Sequence, residues 1–281
     1  MYTTLIDPVS LMSYLHDPEW AVLDARFDLT APARGEALYR EGHIPGARYV
    51  NLDTDLSGPK IGTTGRHPLP DPSTAAAAFG RLGIGPDTQV VVYDADAGQF
   101  AARAWWMLRW LGHTKVAVLD GGLAAWTAAG LALSDDAEQW EPATFTPRVD
   151  AAARLGVGEV LPHVAQAGHV LVDARANDRF RGQNETLDPV GGHIPGAVNR
   201  FFQQNLTPEK TFKTPEALRA EWTPLLGGAD ASKAVMYCGS GVTACHNLLA
   251  LEHAGLPGAR LFAGSWSEWC ADPSRPVATG D

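Results

Sequence analysis

Short apolar runs alternate with helical patterns along this chain. In the first half, the apolar runs have the length of strands, and they occupy residues 21–24, 47–50, 90–93 and 116–119. Helices are predicted at 73–81, after Asp71-Pro72, and at 99–111, which is rich in alanine, tryptophan and leucine. This alternation predicts an α/β fold, with a mostly parallel sheet and helices on both of its faces.

The same motifs occur twice in the chain. Gly-His-Ile-Pro-Gly-Ala stands at 42–47 and again at 192–197, an offset of 150 residues. Leu-Asp-Ala-Arg at 23–26 returns as Val-Asp-Ala-Arg at 172–175. A chain of 281 residues is long enough for two domains of ordinary size, so the repeat predicts two tandem α/β domains of one type. Their predicted limits are 1–133 and 151–281, with an ordered connector at 134–150.

The composition argues against several classes of protein. Hydrophobic residues make up 45% of the chain, and no apolar run approaches the roughly 18 residues that a membrane span needs. The formal net charge is -10 without a lysine or arginine cluster, so neither nucleic acid nor a membrane is expected as a partner. The first residues lack the basic start and apolar core of a secretory signal, which predicts a cytoplasmic location.

The clearest chemistry lies in Tyr-Cys-Gly-Ser-Gly-Val-Thr-Ala-Cys at 237–245. A short buried strand is predicted at 234–237 and an apolar helix at 243–252, so the loop between them is a strand-to-helix turn. Its two glycines permit positive φ angles, which let backbone N–H groups turn inward at the positive end of the helix dipole. Such a nest favours an anion, so Cys238 is expected to be a thiolate nucleophile.

Cys238 also allows other interpretations, as an unreactive buried cysteine, a phosphatase nucleophile or a zinc ligand. A buried cysteine can pack as a small apolar side chain without any chemistry. A phosphatase loop also holds a thiolate among amides, but it needs an arginine six residues after the cysteine, where this chain has Ala244. Cys238 and Cys245 are seven residues apart, which is not a zinc spacing, so no metal site is predicted. The odd count of three cysteines, with Cys270, fits reduced thiols.

Several motifs together resemble one known family. Cys-Gly-Ser-Gly-Val-Thr at 238–243, both Gly-His-Ile-Pro-Gly-Ala copies, and Gly-Ser-Trp-Ser-Glu-Trp at 264–269 are similar to motifs of the rhodanese-type sulfurtransferases, in the form seen in enzymes for 3-mercaptopyruvate. The resemblance implies that Cys238 takes a sulfane sulfur from a small anionic donor and becomes a persulfide. The sulfur would then pass to a thiol, to cyanide or to another thiophile, and thioredoxin is one candidate acceptor. No cofactor is implied.

The loop that follows the cysteine is expected to hold the negative charge of the persulfide. Its backbone amides would supply most of the hydrogen bonds, and two hydroxyl groups would add to them. The predicted persulfide-stabilising residues are Gly239, Ser240, Gly241, Val242 and Thr243.

A comparison of the two copies separates residues of the fold from residues of the chemistry. The first copy has Asp-Ala-Asp-Ala-Gly-Gln at 94–99 in place of the cysteine loop, so the first domain is predicted to be catalytically silent. Asp94 and Asp96 would cap the helix that follows. His43 and His193 occur in both copies, which favours roles in turns and packing. The family's active site lies between its two domains, however, and this resemblance keeps His43 as a candidate substrate contact.

An anionic donor needs a cation in the site. Arg179 is the first candidate, because the first copy has Thr30 at the matching position and the family's substrate arginine occurs in the same Arg-Phe context. Mercaptopyruvate enzymes carry a second arginine nine residues further on, where this chain has Asp188. Arg181 is a candidate replacement for it, and Arg200 is another.

Three functions remain open at this level. The first is transfer of sulfur from 3-mercaptopyruvate, and the second is transfer from thiosulfate. Family members specialised for thiosulfate carry basic residues at the two positions after the cysteine, whereas this chain has Gly239 and Ser240, which favours mercaptopyruvate. The third is a non-enzymatic sulfur carrier or thiol sensor, which would keep the thiolate but would not turn over a small donor.

Overall fold

The computed structural model describes residues 1–137 and 139–281, so residue 138 of the predicted connector lies outside the described part. The chain forms two compact units. The domain limits at 133 and 150 stay a prediction, but the structure places one segment of the first half, Pro59–Leu69, in the second unit. The first unit comprises Met1–Gly58, Pro70–Asp150 and Pro208–Thr211, and the second comprises Pro59–Leu69, Ala151–Thr207 and Phe212–Asp281.

The first unit is built on a five-stranded parallel sheet. Its strands are β1 (Leu5–Ile6), β2 (Trp20–Asp24), β3 (Ala47–Tyr49), β4 (Gln89–Tyr93) and β5 (Val116–Leu119). They lie in the order β1-β5-β4-β2-β3, and every neighbouring pair is parallel. Every residue of the central strand β4 is buried, which explains its continuous apolar sequence.

The helices of the first unit begin where the sequence supplies capping groups. The α3 helix starts after Asp71, whose carboxylate accepts a hydrogen bond from the backbone N–H of Ser73, and Pro72 occupies its first turn. The α4 helix is buried on nearly all sides, in keeping with its run of alanine, tryptophan and leucine. The helices are α1 (Pro8–Met12), α2 (Ala33–Glu41), α3 (Pro72–Arg81), α4 (Ala101–Trp110) and α5 (Gly122–Ala128).

The second unit repeats this architecture. Its strands β6 (Arg154–Leu155), β7 (Val170–Asp173), β8 (Val198–Asn199), β9 (Ala234–Tyr237) and β10 (Arg260–Phe262) form a parallel sheet in the order β6-β10-β9-β7-β8. This is the order of the first sheet, strand for strand, so the predicted tandem α/β fold is confirmed. The helices are α6 (Val157–Val164), α7 (Asn177–Phe180), α8 (Pro215–Leu225), α9 (Ala244–His253) and α10 (Ser265–Trp269), with short 3₁₀ turns at Ala151–Ala153, Phe202–Asn205 and Ala231–Lys233.

The Asp-Ala-Arg motifs tie the end of a central strand to a neighbouring turn in each unit. In the second unit, Arg175 donates through Nη2 to Asp173 Oδ2 at 2.7 Å and to the carbonyl of Gly192 at 2.6 Å. In the first unit, Arg26 donates to Asp24 and to Gly42 in the same way. Both arginines are buried, so these bonds satisfy charges that burial would otherwise leave unpaired.

The strands and helices predicted from periodicity are found with shifts of one or two residues at their ends. The sequence did not reveal β1 and β6, because each has only two residues and so gives no period. Among the described residues, no helix is both long enough and apolar enough to cross a membrane.

Candidate active site

Cys238 follows β9 directly, and α9 begins six residues later. Hydrogen bonds to the first residues of α10 hold the Cys238 backbone in place. Its N–H donates to Ser265 Oγ at 3.0 Å, and its carbonyl accepts from the backbone N–H of Trp266 at 2.9 Å. The carbonyl of Gly239 accepts from the N–H of Ser267, also at 2.9 Å. The cysteine loop and the start of α10 therefore form one hydrogen-bonded assembly.

Ser265 has an unusual backbone conformation for this task. Its φ angle is +56°, in the left-handed region that residues with a side chain adopt uncommonly. The residue is fully buried, and its hydroxyl both accepts from Cys238 N–H and donates to the carbonyl of Phe262 at 3.0 Å. In the sequence, this serine stands out only as part of Gly-Ser-Trp-Ser-Glu-Trp at 264–269, which does not reveal its role.

The two loop glycines are required for different reasons. Gly241 has a φ angle of +77°, and a Cβ atom there would lie 2.3 Å from the carbonyl oxygen of Ala263. Gly239 does not have a positive φ angle, so that prediction is wrong for this residue. The absence of a side chain at Gly239 instead leaves room for two arginines. A Cβ atom there would lie 2.7 Å from Arg66 Nη2 and 3.6 Å from Arg179 Nη2.

The loop presents backbone amides that are available to an anion. Within the part of the chain that the structure describes, the N–H groups of Gly239, Ser240, Val242 and Thr243 donate to no acceptor of the protein. Thr243 immediately precedes α9, so these amides lie at the positive end of the helix dipole. The predicted charge-stabilising role of residues 239–243 remains a prediction, but the backbone geometry suits it.

His67 contacts this loop from a distant part of the sequence. Its Nδ1 atom lies 2.7 Å from Ser240 Oγ, and both side chains are buried. His67 belongs to Pro59–Leu69, the segment that packs with the second unit. The sequence alone does not point to this histidine, because the segment has no periodicity and Gly-Arg-His-Pro at 65–68 matches no known catalytic or binding motif.

Two guanidinium groups lie over the backbone of Gly239. Arg179, in α7, reaches this position from within the second unit, where the sequence had predicted a donor-binding cation. Arg66, from Pro59–Leu69, reaches it as well and was not predicted. Both side chains are partly exposed, with exposed fractions of 20% for Arg179 and 28% for Arg66.

Two buried carboxylates hold these arginines. Glu185 accepts from Arg179 Nη2 at 2.8 Å, and Asp188 accepts a short hydrogen bond from Arg66 Nη1. Burial alone would raise the pKa of Glu185, but hydrogen bonds from Arg179 and two backbone amides bring that pKa below its ordinary value. Burial raises the pKa of Asp188, and the Arg66 charge opposes this only in part. Asp188 Oδ2 also lies 3.6 Å from Arg179 Nη2, so this carboxylate is shared by both cations.

The remaining candidates for substrate binding are engaged elsewhere. Arg181 forms an ion pair with Asp281, and Arg200 Nη2 donates to Glu221 Oε2 at 2.5 Å. Neither guanidinium is found above Gly239, so the expectation that one of them replaces the arginine missing at 188 is not supported by the geometry. His43 is buried in the first unit, with its Nδ1 atom 2.8 Å from the carbonyl of Tyr39. This supports packing, and its contact with substrate stays a prediction.

The other two cysteines are buried thiols with different surroundings. Cys245 donates through Sγ to the carbonyl of Gly241 at 3.3 Å, which places it under the loop. Burial raises the pKa of Cys270, and the nearby Asp188 charge adds to the effect, so this thiol stays protonated. Among the described residues, no group of histidine, cysteine and acidic side chains is arranged to hold a metal ion.

The corresponding loop of the first unit has a structural carboxylate in place of the cysteine. Asp94 accepts hydrogen bonds from the backbone N–H groups of Gly98, Phe100 and Ala101, at 2.9, 2.8 and 3.1 Å. Asp94 therefore caps α4, as the sequence suggested. Asp96 does not share this role, since its carboxylate lies 3.9 Å from Lys210 Nζ.

Known proteins are similar to this chain over nearly its whole length. The model of the rhodanese-like domain family matches residues 7–129 and 157–272. The "Probable 3-mercaptopyruvate sulfurtransferase" of Pseudomonas aeruginosa is 50% identical over 99% of this chain and 98% of its own length. The thiosulfate sulfurtransferase of Cricetulus griseus is 37% identical over 94% of this chain and 90% of its own. The crystal structure of the 3-mercaptopyruvate sulfotransferase SseA from Escherichia coli matches with a TM-score of 0.80 and 34% identity, over 94% of this chain and 99% of that one.

Proposed function

The chain belongs to the rhodanese-like domain family and is an enzyme of the sulfurtransferase class, and we propose that it moves a sulfane sulfur from 3-mercaptopyruvate to a thiophilic acceptor. Cys238 is the proposed carrier of the sulfur, as a persulfide. The place of Cys238 between β9 and α9 supports this role most directly, because the amides of the loop and the start of α9 favour an anionic sulfur.

The proposed reaction has two steps that balance without a cofactor. In the first, the Cys238 thiolate attacks the sulfur of 3-mercaptopyruvate and forms an S–S bond. The C–S bond of the donor breaks, its electron pair stays with the carbon, and protonation of the resulting enolate gives pyruvate. In the second step, a thiolate or cyanide attacks the outer sulfur of the persulfide, and the Cys238 thiolate is released for the next cycle.

Ser240 and His67 are the proposed route for the proton. The donor thiol must lose a proton, and the pyruvate enolate must gain one. A hydroxyl and an imidazole in a 2.7 Å hydrogen bond, two residues from Cys238, can accept and return that proton. Burial of both side chains keeps competing water away from the pair.

Arg179 is the proposed contact for the donor carboxylate. Its guanidinium lies over Gly239, next to Cys238, and the Arg179 side chain is 20% exposed. A planar guanidinium can bind a carboxylate through two hydrogen bonds. Thiosulfate carries two charges close to the transferred sulfur, and the side chains of residues 239–243 supply no cation to meet them, which is why 3-mercaptopyruvate is the preferred donor in this proposal.

Two alternatives are separated from this proposal by turnover. Purified protein should release pyruvate continuously from 3-mercaptopyruvate in the presence of a thiol acceptor, and Cys238→Ser should release none. A protein that takes up one sulfur per chain and then stops is a carrier or sensor. A protein that releases sulfite from thiosulfate with a higher kcat/KM than it releases pyruvate from 3-mercaptopyruvate is a thiosulfate sulfurtransferase. Either result would overturn the proposed donor chemistry.

The acceptor and location belong to the same proposal. Three thiols, none of them in a disulfide, suit a reducing compartment, and therefore support a cytoplasmic location. Thioredoxin is a thiol acceptor that such a compartment supplies. The formal net charge of -10 supports neither nucleic acid nor an anionic membrane as a partner.

A further inference from the structure

Arg66 is held over the cysteine loop by contacts that leave its backbone little freedom. Its N–H donates to Ser267 Oγ at 3.0 Å, and the N–H of Ser267 donates to the carbonyl of Gly239. Gly65 packs so closely on the carbonyl of Gly264 that a Cβ atom would lie 2.5 Å from that oxygen. The Arg66 backbone is therefore joined to the start of α10, which also holds the Cys238 backbone.

The Arg66 side chain is restrained as well, by its ion pair with Asp188. Its partner Asp188 has an exposed fraction of only 3%, and this carboxylate also faces Arg179 and lies near Glu185. A charge-assisted bond to a buried carboxylate restricts a guanidinium far more than a bond at the surface. Arg66 Nη2 lies over Gly239, beside the residue proposed to carry the sulfur, and the Arg66 side chain is 28% exposed.

We propose that Arg66 is a second donor-binding cation of the site, and that Asp188 is its charge-limiting partner. Resting on the function proposed above, the donor carboxylate would bind between the tips of Arg66 and Arg179. Two buried carboxylates, Glu185 and Asp188, offset the two guanidinium charges, so the donor carboxylate would be held by hydrogen bonds from the guanidinium groups and not by a surplus of positive charge. A second negative charge, as in a dianionic donor, would be disfavoured by Asp188.

The charge of the site can be measured without any turnover, by alkylation of Cys238. Iodoacetate and iodoacetamide both form a thioether with the thiolate and release iodide, but only iodoacetate carries a carboxylate. The ratio of their rate constants at Cys238, followed by peptide mass, reports the cations near the sulfur and cancels changes in the thiolate itself. We expect Arg66→Ala to lower this ratio by about tenfold, the effect of losing one charge-assisted hydrogen bond.

Asp188→Asn tests the partner. Asparagine keeps an oxygen that accepts from Arg66 but removes the negative charge, so the ratio should rise, by about threefold or more for a charge at this distance. The control is Arg40→Ala, which breaks an exposed ion pair with Glu36 in the first unit and should leave the ratio unchanged. An unchanged ratio in Arg66→Ala overturns the role of Arg66, and an unchanged or lower ratio in Asp188→Asn overturns that of Asp188.

Loss of Arg66 alone leaves a buried carboxylate without its partner, which can destabilise the fold. The double variant Arg66→Gln/Asp188→Asn removes both charges together and avoids this problem. Its ratio should lie about tenfold below that of Asp188→Asn alone. Equal ratios in these two variants would contradict the inference even if Arg66→Ala does not fold. Failure of wild-type turnover, in contrast, would refute the proposed function and leave the alkylation result intact.

Discussion

The Nδ1 atom of His67 lies 2.7 Å from the Oγ atom of Ser240, although the two residues are 173 positions apart in the sequence. Ser240 belongs to the cysteine loop, and His67 belongs to the segment Pro59–Leu69, which packs with the second unit. The bond joins the loop that carries Cys238 to an imidazole, a side chain of the type that serves as a general acid or base.

If this pair moves the proton of the donor thiol, its two members act as one unit. His67→Ala and Ser240→Ala should each lower kcat for 3-mercaptopyruvate by about a hundredfold or more, the contribution typical of general acid-base catalysis. The double variant should be no slower than the slower single variant. The exposed His16→Ala serves as the control and should keep wild-type kcat. Losses that multiply in the double variant would show that the two residues act independently.

Only one of the three cysteines should carry sulfur. Cys238→Ser should abolish pyruvate release, whereas Cys245→Ser and Cys270→Ser should keep most of it. The Cys245 thiol donates to the carbonyl of Gly241, a bond that a serine hydroxyl can also make, and burial keeps Cys270 protonated. Intact mass after donor treatment without acceptor should show one added sulfur in the wild type and none in Cys238→Ser. A comparable loss of activity in Cys245→Ser would contradict the assignment.

Arg179 should contribute more to donor binding than Arg181. Arg179→Ala should lower kcat/KM for 3-mercaptopyruvate by about tenfold or more, since a hydrogen bond between charged groups contributes roughly 1.5 to 3 kcal/mol. Arg181→Ala is the matched control, because its guanidinium pairs with Asp281. Steady-state kinetics on both variants decide the matter, and equal losses would mean that the donor is bound elsewhere.

The two loop glycines should respond differently to alanine. Gly241→Ala forces a side chain onto a backbone with a φ angle of +77° and into the carbonyl of Ala263, so the free energy of unfolding should fall by about 2 kcal/mol or more. Gly239→Ala brings its methyl group against the Arg66 side chain and against no backbone atom, so its loss in the free energy of unfolding should be smaller than that of Gly241→Ala. Its kcat/KM should fall nonetheless, because the new methyl group displaces Arg66. Urea unfolding of the two variants checks this order.

The charge-limiting effect of Asp188 should depend on pH. Burial raises the pKa of Asp188, so on acidification it is protonated before an exposed aspartate. The lowered pKa of Glu185 keeps that neighbouring carboxylate charged as Asp188 is protonated. The iodoacetate to iodoacetamide ratio should therefore rise as the pH falls through the pKa of Asp188.

The groups that face Asp188 from other elements do not change this expectation. Lys60 lines the same cavity, of about 320 Å³, while the raised pKa of Cys270 keeps that thiol neutral. In Asp188→Asn the rise on acidification should be absent. A rise of the same size in that variant would assign the titration to another group.

The sequence by itself determined the architecture and the place of Cys238 in it. Alternating apolar runs and helical patterns specify a parallel α/β sheet, because both signals arise from local periodicity. The repeated motifs, 150 residues apart, specify two copies of it. Cys238 stands at a strand-to-helix junction, ahead of Gly239 and Gly241, and such a junction places a side chain at the end of a sheet. Arg179 was predicted near the loop by resemblance and by its absence from the first copy.

Only the tertiary structure decided what surrounds the cysteine. Arg66 and His67 lie in a segment without periodicity, and their position depends on packing between the segment and the start of α10, which no local pattern encodes. The same packing explains Gly239, whose missing side chain makes room for arginines rather than for a turn. Asp188 illustrates the limit most clearly. In the sequence, Asp188 stands where related enzymes carry an arginine. In the structure, its carboxylate pairs with Arg66, which is 122 residues away in the sequence. Charges are paired in space and not along the chain, so the sequence alone does not reveal this pair.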